Sequence, residues 1–465
     1  SPDGASWGAI DFSPSKQLLL ILHYKSVTNS SIFLLDLGSG GLQRVIGGDS
    51  EPSVNLPSGF TADGQGFFYL TDLSANFRRL AYYDVASGET SILTEDIDWD
   101  VSELVLSEDR QRGAFSVNVG GRDQIYLFDP SSMDYQALEG IPIGRASLGH
   151  FRPDNGALAL TLNTATYPSD VFSVELGDDK LSHGSLTRWT MSEIAGLDSS
   201  KFIEPVLFSY PTFDSENGKP RQIPSWIYKP NSEGPHPVII SIHGGPEGQF
   251  RPGFSSTFQQ WIARLGAAVI APNVRGSAGY GRDYVLLDNG FKREDSVRDI
   301  GALLDWIDTQ PDLDSDRIAV YGGSYGGYMV LASMVHYSDR LAAGVDVVGI
   351  SNFVTFLENT EDYRRDLRRV EYGDERDPAM RAYLEAISPS NQAERITAPL
   401  LVIQGENDPR VPASESRQIV AAVREAGHDV WFMNALNEGH GFRKKENRDL
   451  YAEVVTLFLK TYLTD

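Results

Sequence analysis

The stretch AVYGGSYGGYMV, residues 319–330, decides the fold. The apolar run RIAVY (317–321) reads as a strand, and YMVLASMVHY (328–337) reads as a helix of apolar periodicity. Between them, Gly322-Gly323-Ser324-Tyr325-Gly326 matches G-x-S-x-G, a sharp turn that pushes a serine hydroxyl out at the carboxyl edge of a sheet. Glycine at the flanks lets the strand and helix backbones approach while the serine takes the strained position. A lone G-x-S-x-G is common. A strand before it and a helix after it make this one specific.

Around this turn, apolar strands alternate with helical patterns: VIISIHGG, AAVIAPNVRG, RIAVYGG, AAGVDVVGI, PLLVIQGEND and DVWFMNAL. Such alternation implies a mostly parallel, doubly wound sheet with helices on both faces. Upstream, KFIEPVLFSYPTFDSENGKPRQIPSWIYKP reads as a hairpin leading into this domain, followed by the Gly/Pro-rich stretch NSEGPHP.

Residues 1–200 read differently. Turn-like segments FSPSK, FTADG, LSEDR and FRPDN begin at 12, 60, 106 and 151. A second series, IFLLDLGSG, LAYYDVASG, IYLFDPSSM and VFSVELGDD, begins at 32, 80, 125 and 171. Two series that keep one spacing of about 45 residues, with short apolar runs between turns, suit the four-stranded blades of a propeller. The expected organisation is an all-β propeller-type domain over 1–204, then an α/β-hydrolase domain over 205–465. About four blades are visible, and the abrupt start SPDGASWGAI suggests a larger propeller truncated at its N-terminal side.

A serine hydroxyl needs a base, and an α/β-hydrolase supplies it in the order Ser, Asp or Glu, His. Three histidines follow Ser324. His336 lies in the helix leaving the turn and His428 in a helix-to-strand turn. His440, in NEGHGF between two glycines after the last strand, is the candidate base. QGENDPRVP offers Asp408 as the orienting acid and Glu406 as runner-up. IHGGPEGQF matches the HGG type of oxyanion loop, with backbone N–H groups at Gly244 and Gly245 joining that of Tyr325.

Other patterns carry less. GSAGYG (276–281) lacks dinucleotide-loop spacing, DLDSDR (312–317) lacks the glycine and glutamate of a calcium loop, and DIDWD (96–100) reads as a connection between blades. No metal and no cofactor are expected. The net charge of −24, with −15 carried by residues 1–200, opposes a nucleic-acid partner. No apolar run approaches membrane-spanning length, and no signal peptide is visible. Cysteine is absent, which removes disulfides and thiolate chemistry.

HGGP, NVRGSAGYG, GGSYGGY, QGENDPRVP and EGHGF, in that order, resemble the prolyl oligopeptidases, serine peptidases that pair a β-propeller with an α/β-hydrolase domain. HGGP with GGSYGGY looks most like the acylaminoacyl-peptidase branch; the dipeptidyl peptidase IV branch usually has Trp where Gly323 stands. The resemblance implies a triad of Ser324, Asp408 and His440, with Gly245 and Tyr325 as backbone donors. It further implies that Arg410 binds a substrate carbonyl and that Val411 lines the pocket for the residue before the cut. Family propellers usually have seven or eight blades and filter substrates by size, which four would put in doubt. The expected function is therefore hydrolysis of short peptides through an acyl-enzyme. A carboxylesterase on the same triad is the alternative, and a non-catalytic scaffold a third. A cytoplasmic location and a homo-oligomer are further expectations.

Overall fold

The FSPSK-type turns all become the same local structure. In the computed structural model, which describes residues 5–48 and 50–464, each is the tight link between the first two strands of a four-stranded antiparallel sheet. The fifth residue of every such turn is left-handed: Lys16 (φ 56°), Gly64 (φ 70°), Arg110 (φ 59°) and Asn155 (φ 59°). Glycine takes that conformation without strain, and asparagine more easily than lysine or arginine. The second series supplies the third strand each time, at Asn29–Asp36, Arg79–Asp84, Arg122–Phe128 and Asp170–Leu176. The four sheets follow one another along the chain, each a simple up-and-down meander.

The chain divides into two compact units. One comprises Ser1–Phe202, Arg251–Phe254 and Gly279–Asp283; the other comprises Ile203–Phe250, Ser255–Ala278 and Tyr284–Asp465. Within the first, aromatic and aliphatic side chains fill the space between sheets: Phe60, Phe67, Tyr69 and Tyr83 pack with Leu20, Ile32 and Leu34. Arg110 of the third sheet reaches Asp11 of the first at 2.6 Å and the Phe60 carbonyl of the second at 2.8 Å, so three sheets meet at one ion pair.

The second unit is built on one eight-stranded sheet: β1 (Val206–Glu216), β2 (Lys219–Tyr228), β3 (His236–Ile242), β4 (Ala268–Pro272), β5 (Leu313–Gly323), β6 (Ala343–Val347), β7 (Leu400–Gly405) and β8 (Val430–Ala435). Their order is β1-β2-β4-β3-β5-β6-β7-β8. The KFIEP hairpin forms β1 and β2, which pair antiparallel, and β2 also pairs antiparallel with β4. From β4 through β8 all pairings are parallel. β3, β4 and β7 are buried at every residue, as expected of a parallel sheet covered on both faces. The helix after the sharp turn, α1 (Tyr325–Tyr337), is buried from Tyr325 to Val335, which explains why it is apolar all round rather than on one stripe. Among the described residues no helix is long and apolar enough to cross a membrane.

Candidate active site

Ser324 sits where β5 becomes α1, with φ 60° and ψ −122°, a backbone conformation that non-glycine residues rarely hold. Its N–H donates to the Val347 carbonyl at 2.8 Å, tying the turn to the end of β6. The glycines around it are required by crowding. A Cβ on Gly322 would lie 2.3 Å from the Gly326 oxygen, and one on Gly326 would lie 2.3 Å from the Ile242 oxygen. Gly323 is different: a Cβ there would meet nothing nearer than 3.6 Å.

The loops after β7 and β8 bring the acid to the imidazole. His440 Nδ1 donates to Asp408 Oδ2 at 2.7 Å. The Asp408 side chain is fully buried, and its other oxygen accepts the N–H groups of Arg410 (2.8 Å) and Val411 (3.0 Å). With Nδ1 protonated toward a carboxylate, Nε2 of a neutral imidazole is left as a base. Glu406 faces elsewhere, held by Arg417 and Asn434. His336 pairs with Glu294 at 2.8 Å, and His428 meets the Glu394 carbonyl.

Ser324 and His440 line one cavity of about 220 Å³, together with Gly244, Gly245, Arg410 and Val411. Thus Ser324, the HGG loop and, from the QGEND loop, Arg410, Val411 and the Asp408 that holds His440 come together at one place, with the backbone of Tyr325 beside them, whereas Glu406 does not join them. Tyr325 is the first residue of α1, so its N–H has no intrahelical acceptor. Neither it nor the Gly245 N–H donates to a protein acceptor among the described residues. The HGG loop abuts the serine: a Cβ on Gly244 would lie 3.3 Å from Ser324 Cβ. The Gly244 carbonyl accepts from His243 Nδ1 at 2.9 Å, which fixes the peptide plane that carries the Gly245 N–H. Burial holds the His243 imidazole below its ordinary range.

Apart from Val411, the remaining walls come from residues no motif announced. Ile350, Phe356, Tyr372 and Val411 give an apolar side, while Arg364 and Arg368 stand beside them. Arg364, Arg368 and Tyr372 are four apart on α2 (Asp362–Tyr372), so one face of that helix forms a wall of the cavity. In the sequence, EDYRRDLRRVEYG reads only as a charged surface helix; the i, i+4, i+8 spacing is the signal that was available. Behind the wall, Arg293 pairs with Asp288 at 2.7 Å, both buried, and donates to the Tyr325 hydroxyl at 3.2 Å. Burial pushes Asp288 up to about 6 even beside that guanidinium. Below the turn, burial pushes Asp346 of β6 up to about 7, with a partial offset from the Gly349 N–H.

A strand–turn–helix serine, an imidazole after the last strand and an HGG loop on a sheet of this order define an α/β-hydrolase domain with a nucleophile elbow. Residues 252–465 match the model of the prolyl oligopeptidase family, and the chain carries a domain of that family. It is 30% identical over 426 residues to dipeptidyl aminopeptidase BIII of Pseudoxanthomonas mexicana, covering 87% of this chain and 59% of that protein. It is 24% identical over 232 residues to the acylamino-acid-releasing enzyme of Rattus norvegicus, covering 49% of this chain and 31% of that protein. The chain therefore spans about three fifths of the first of these relatives and less of the second. Among solved structures, a puromycin-hydrolysing peptidase of Mycobacterium tuberculosis superposes with a TM-score of 0.83 at 21% identity, covering 97% of this chain and 69% of that one. A prolyl endopeptidase superposes at 0.85 with 17% identity, covering 99% and 66%.

Proposed function

We propose that this protein is a serine peptidase that cleaves short peptides through an acyl-enzyme, with Ser324 as nucleophile, His440 as base and Asp408 as orienting acid. The observation that carries the reading is the 2.7 Å His440–Asp408 hydrogen bond in the cavity that holds the strained Ser324. Ser324 and His440 line the same cavity with no hydrogen bond between them among the described residues; catalytic hydrogen bonds often tighten only in the complex with substrate. In the reaction, His440 Nε2 takes the Ser324 proton as Oγ adds to the substrate carbonyl. The N–H groups of Gly245 and Tyr325 stabilise the oxyanion, and the imidazolium then protonates the departing amine. Water, deprotonated by the same imidazole, releases the acyl fragment and restores the serine.

Val411, Ile350 and Phe356 offer an apolar seat for the residue before the cut, and Arg410 donates to a carbonyl further upstream. We read the four antiparallel sheets as blades of a propeller domain standing before the hydrolase domain. Names among the relatives include both dipeptidyl and acylamino-acid-releasing enzymes. The test is therefore two-sided. A fluorophosphonate probe should label the wild type and not Ser324→Ala. Paired chromogenic peptides with free and acetylated N-termini should then show which amino terminus is accepted. Equal labelling of both proteins would remove the serine from its role, and turnover of esters without any amide would replace peptidase by esterase.

A further inference from the structure

Arg368 is over-subscribed. Its Nη1 carries two hydrogens, yet three groups stand around it: the Gly245 carbonyl at 3.0 Å, both oxygens of Glu247 at 3.2 Å and Glu371 Oε2 at 2.6 Å. The two carboxyl groups also face each other, and Glu371 Oε1 is buried with no donor to accept from among the described residues. A protonated Glu371 resolves both problems, because its hydroxyl then donates to Glu247 and Glu247 needs less from the guanidinium. We propose that Glu247 and Glu371 share one proton, and that this sharing reserves an Arg368 N–H for the Gly245 carbonyl, making α2 a positioning element for the oxyanion loop.

The geometry explains why that carbonyl matters. Gly245 lies between two gripped peptide planes: His243 holds the carbonyl before it, while Arg368 and the Tyr372 hydroxyl (3.4 Å) hold the one after it. Its φ of 141° lies in a region open to glycine, so these grips substitute for the steric restraint a side chain would supply. The groups facing Glu371 are Glu247 from the loop after β3, Arg368 and Tyr372 from its own helix, and Arg293. Asp288 and the Tyr325 hydroxyl lie behind Arg293. Burial, reinforced by Glu247, pushes Glu371 up to about 8. Below that range the proton is shared and Gly245 is held. Above it, two repelling carboxylates compete for the Arg368 hydrogens, and the oxyanion loop loses a restraint.

This rests on the reading of the Gly245 N–H as an oxyanion donor. The experiment follows the rate of fluorophosphonate labelling of the full chain against pH. Wild-type labelling should fall, by about tenfold, as pH rises past about 8. Glu371→Gln, whose amide can donate to Glu247 at any pH, should show no such decline. Arg368→Gln should be slower by ten- to a hundredfold at every pH, and Arg368→Lys should recover part of the loss. A wild-type decline retained in Glu371→Gln, or Arg368→Gln labelling at the wild-type rate, would overturn the proposal. Infrared titration gives a readout independent of turnover: a protonated-carboxyl band that ionises near pH 8 in the wild type and is missing in Glu371→Gln. Should the wild type fail to label, the peptidase reading falls while the band still decides whether the proton is shared. Should Arg368→Gln fail to fold, the Glu371→Gln profile and the band decide alone.

Discussion

Alanine at Gly322 and alanine at Gly323 should behave in opposite ways, although the two residues are adjacent. A Cβ on Gly322 would lie 2.3 Å from the Gly326 oxygen, 2.6 Å from its carbonyl carbon and 3.0 Å from the Ile242 oxygen. Ordinary contact begins near 3.5 Å, and all three atoms are main chain, so relief requires α1 or β3 to move away from β5 by about 1 Å. Over-packing of that kind costs about 3 kcal/mol, at the upper end of its usual range because no side chain can rotate aside. For a unit of this size that corresponds to a fall of about 6–12 °C in Tm. A shift of about 1 Å at the nucleophile should also slow acylation by about a hundredfold. A Cβ on Gly323 meets only the Val347 oxygen at 3.6 Å and the Val347 Cβ at 3.9 Å, in a backbone conformation open to any residue. Gly323→Ala should therefore stay within about 1 kcal/mol of the wild type and could gain stability from a less flexible unfolded chain. Thermal melts and fluorophosphonate labelling rates of the two variants settle the matter. A Gly322→Ala protein that melts and labels like the wild type, or a Gly323→Ala protein as damaged as its neighbour, would refute the reasoning.

Asp408→Asn should lower kcat by about four orders of magnitude with little change in KM, since an amide no longer fixes the tautomer; steady-state kinetics on the accepted peptide decides. Asp346→Asn should flatten the pH dependence of stability. With the folded-state value raised from 3.8 to about 7, the native state holds a proton that the unfolded chain releases. Stability from this group thus falls as pH rises through that interval, by up to about 4 kcal/mol, and Tm measured from pH 4 to 8 should fall less in the variant. Arg293→Met should cost about 3–5 kcal/mol by stranding Asp288, and Arg293→Met combined with Asp288→Asn should recover much of it; denaturant midpoints give the comparison.

The legible parts of the sequence were those where one local requirement fixes residue type. The elbow needs glycine where backbones nearly touch, and Gly322 and Gly326 stand there. The parallel strands need unbroken apolar runs, and VIISI and LLVIQG supply them. The repeat was readable because its turns place one residue after another in the left-handed region, which keeps a turn-forming composition at fixed spacing. Legibility failed where a role arises from packing across the chain. Arg368 belongs to a helix whose composition is that of a solvated surface, and only the fold turns that face toward Ser324. Glu247 follows a recognisable HGGP but gains its significance from Glu371, 124 positions away. Asp346 looks like any aspartate in a strand until both faces of the sheet are covered.

The placement of the imidazole has an operational consequence. Ser324 hangs from the middle of the sheet, whereas His440 follows β8, which is hydrogen-bonded on one side only. Edge strands open more readily than central ones, so gentle warming or mild denaturant should take away the proton acceptor while the hydroxyl and its turn are still intact. Loss of turnover would then run ahead of global melting, and a preparation that still looks native by circular dichroism could already be silent.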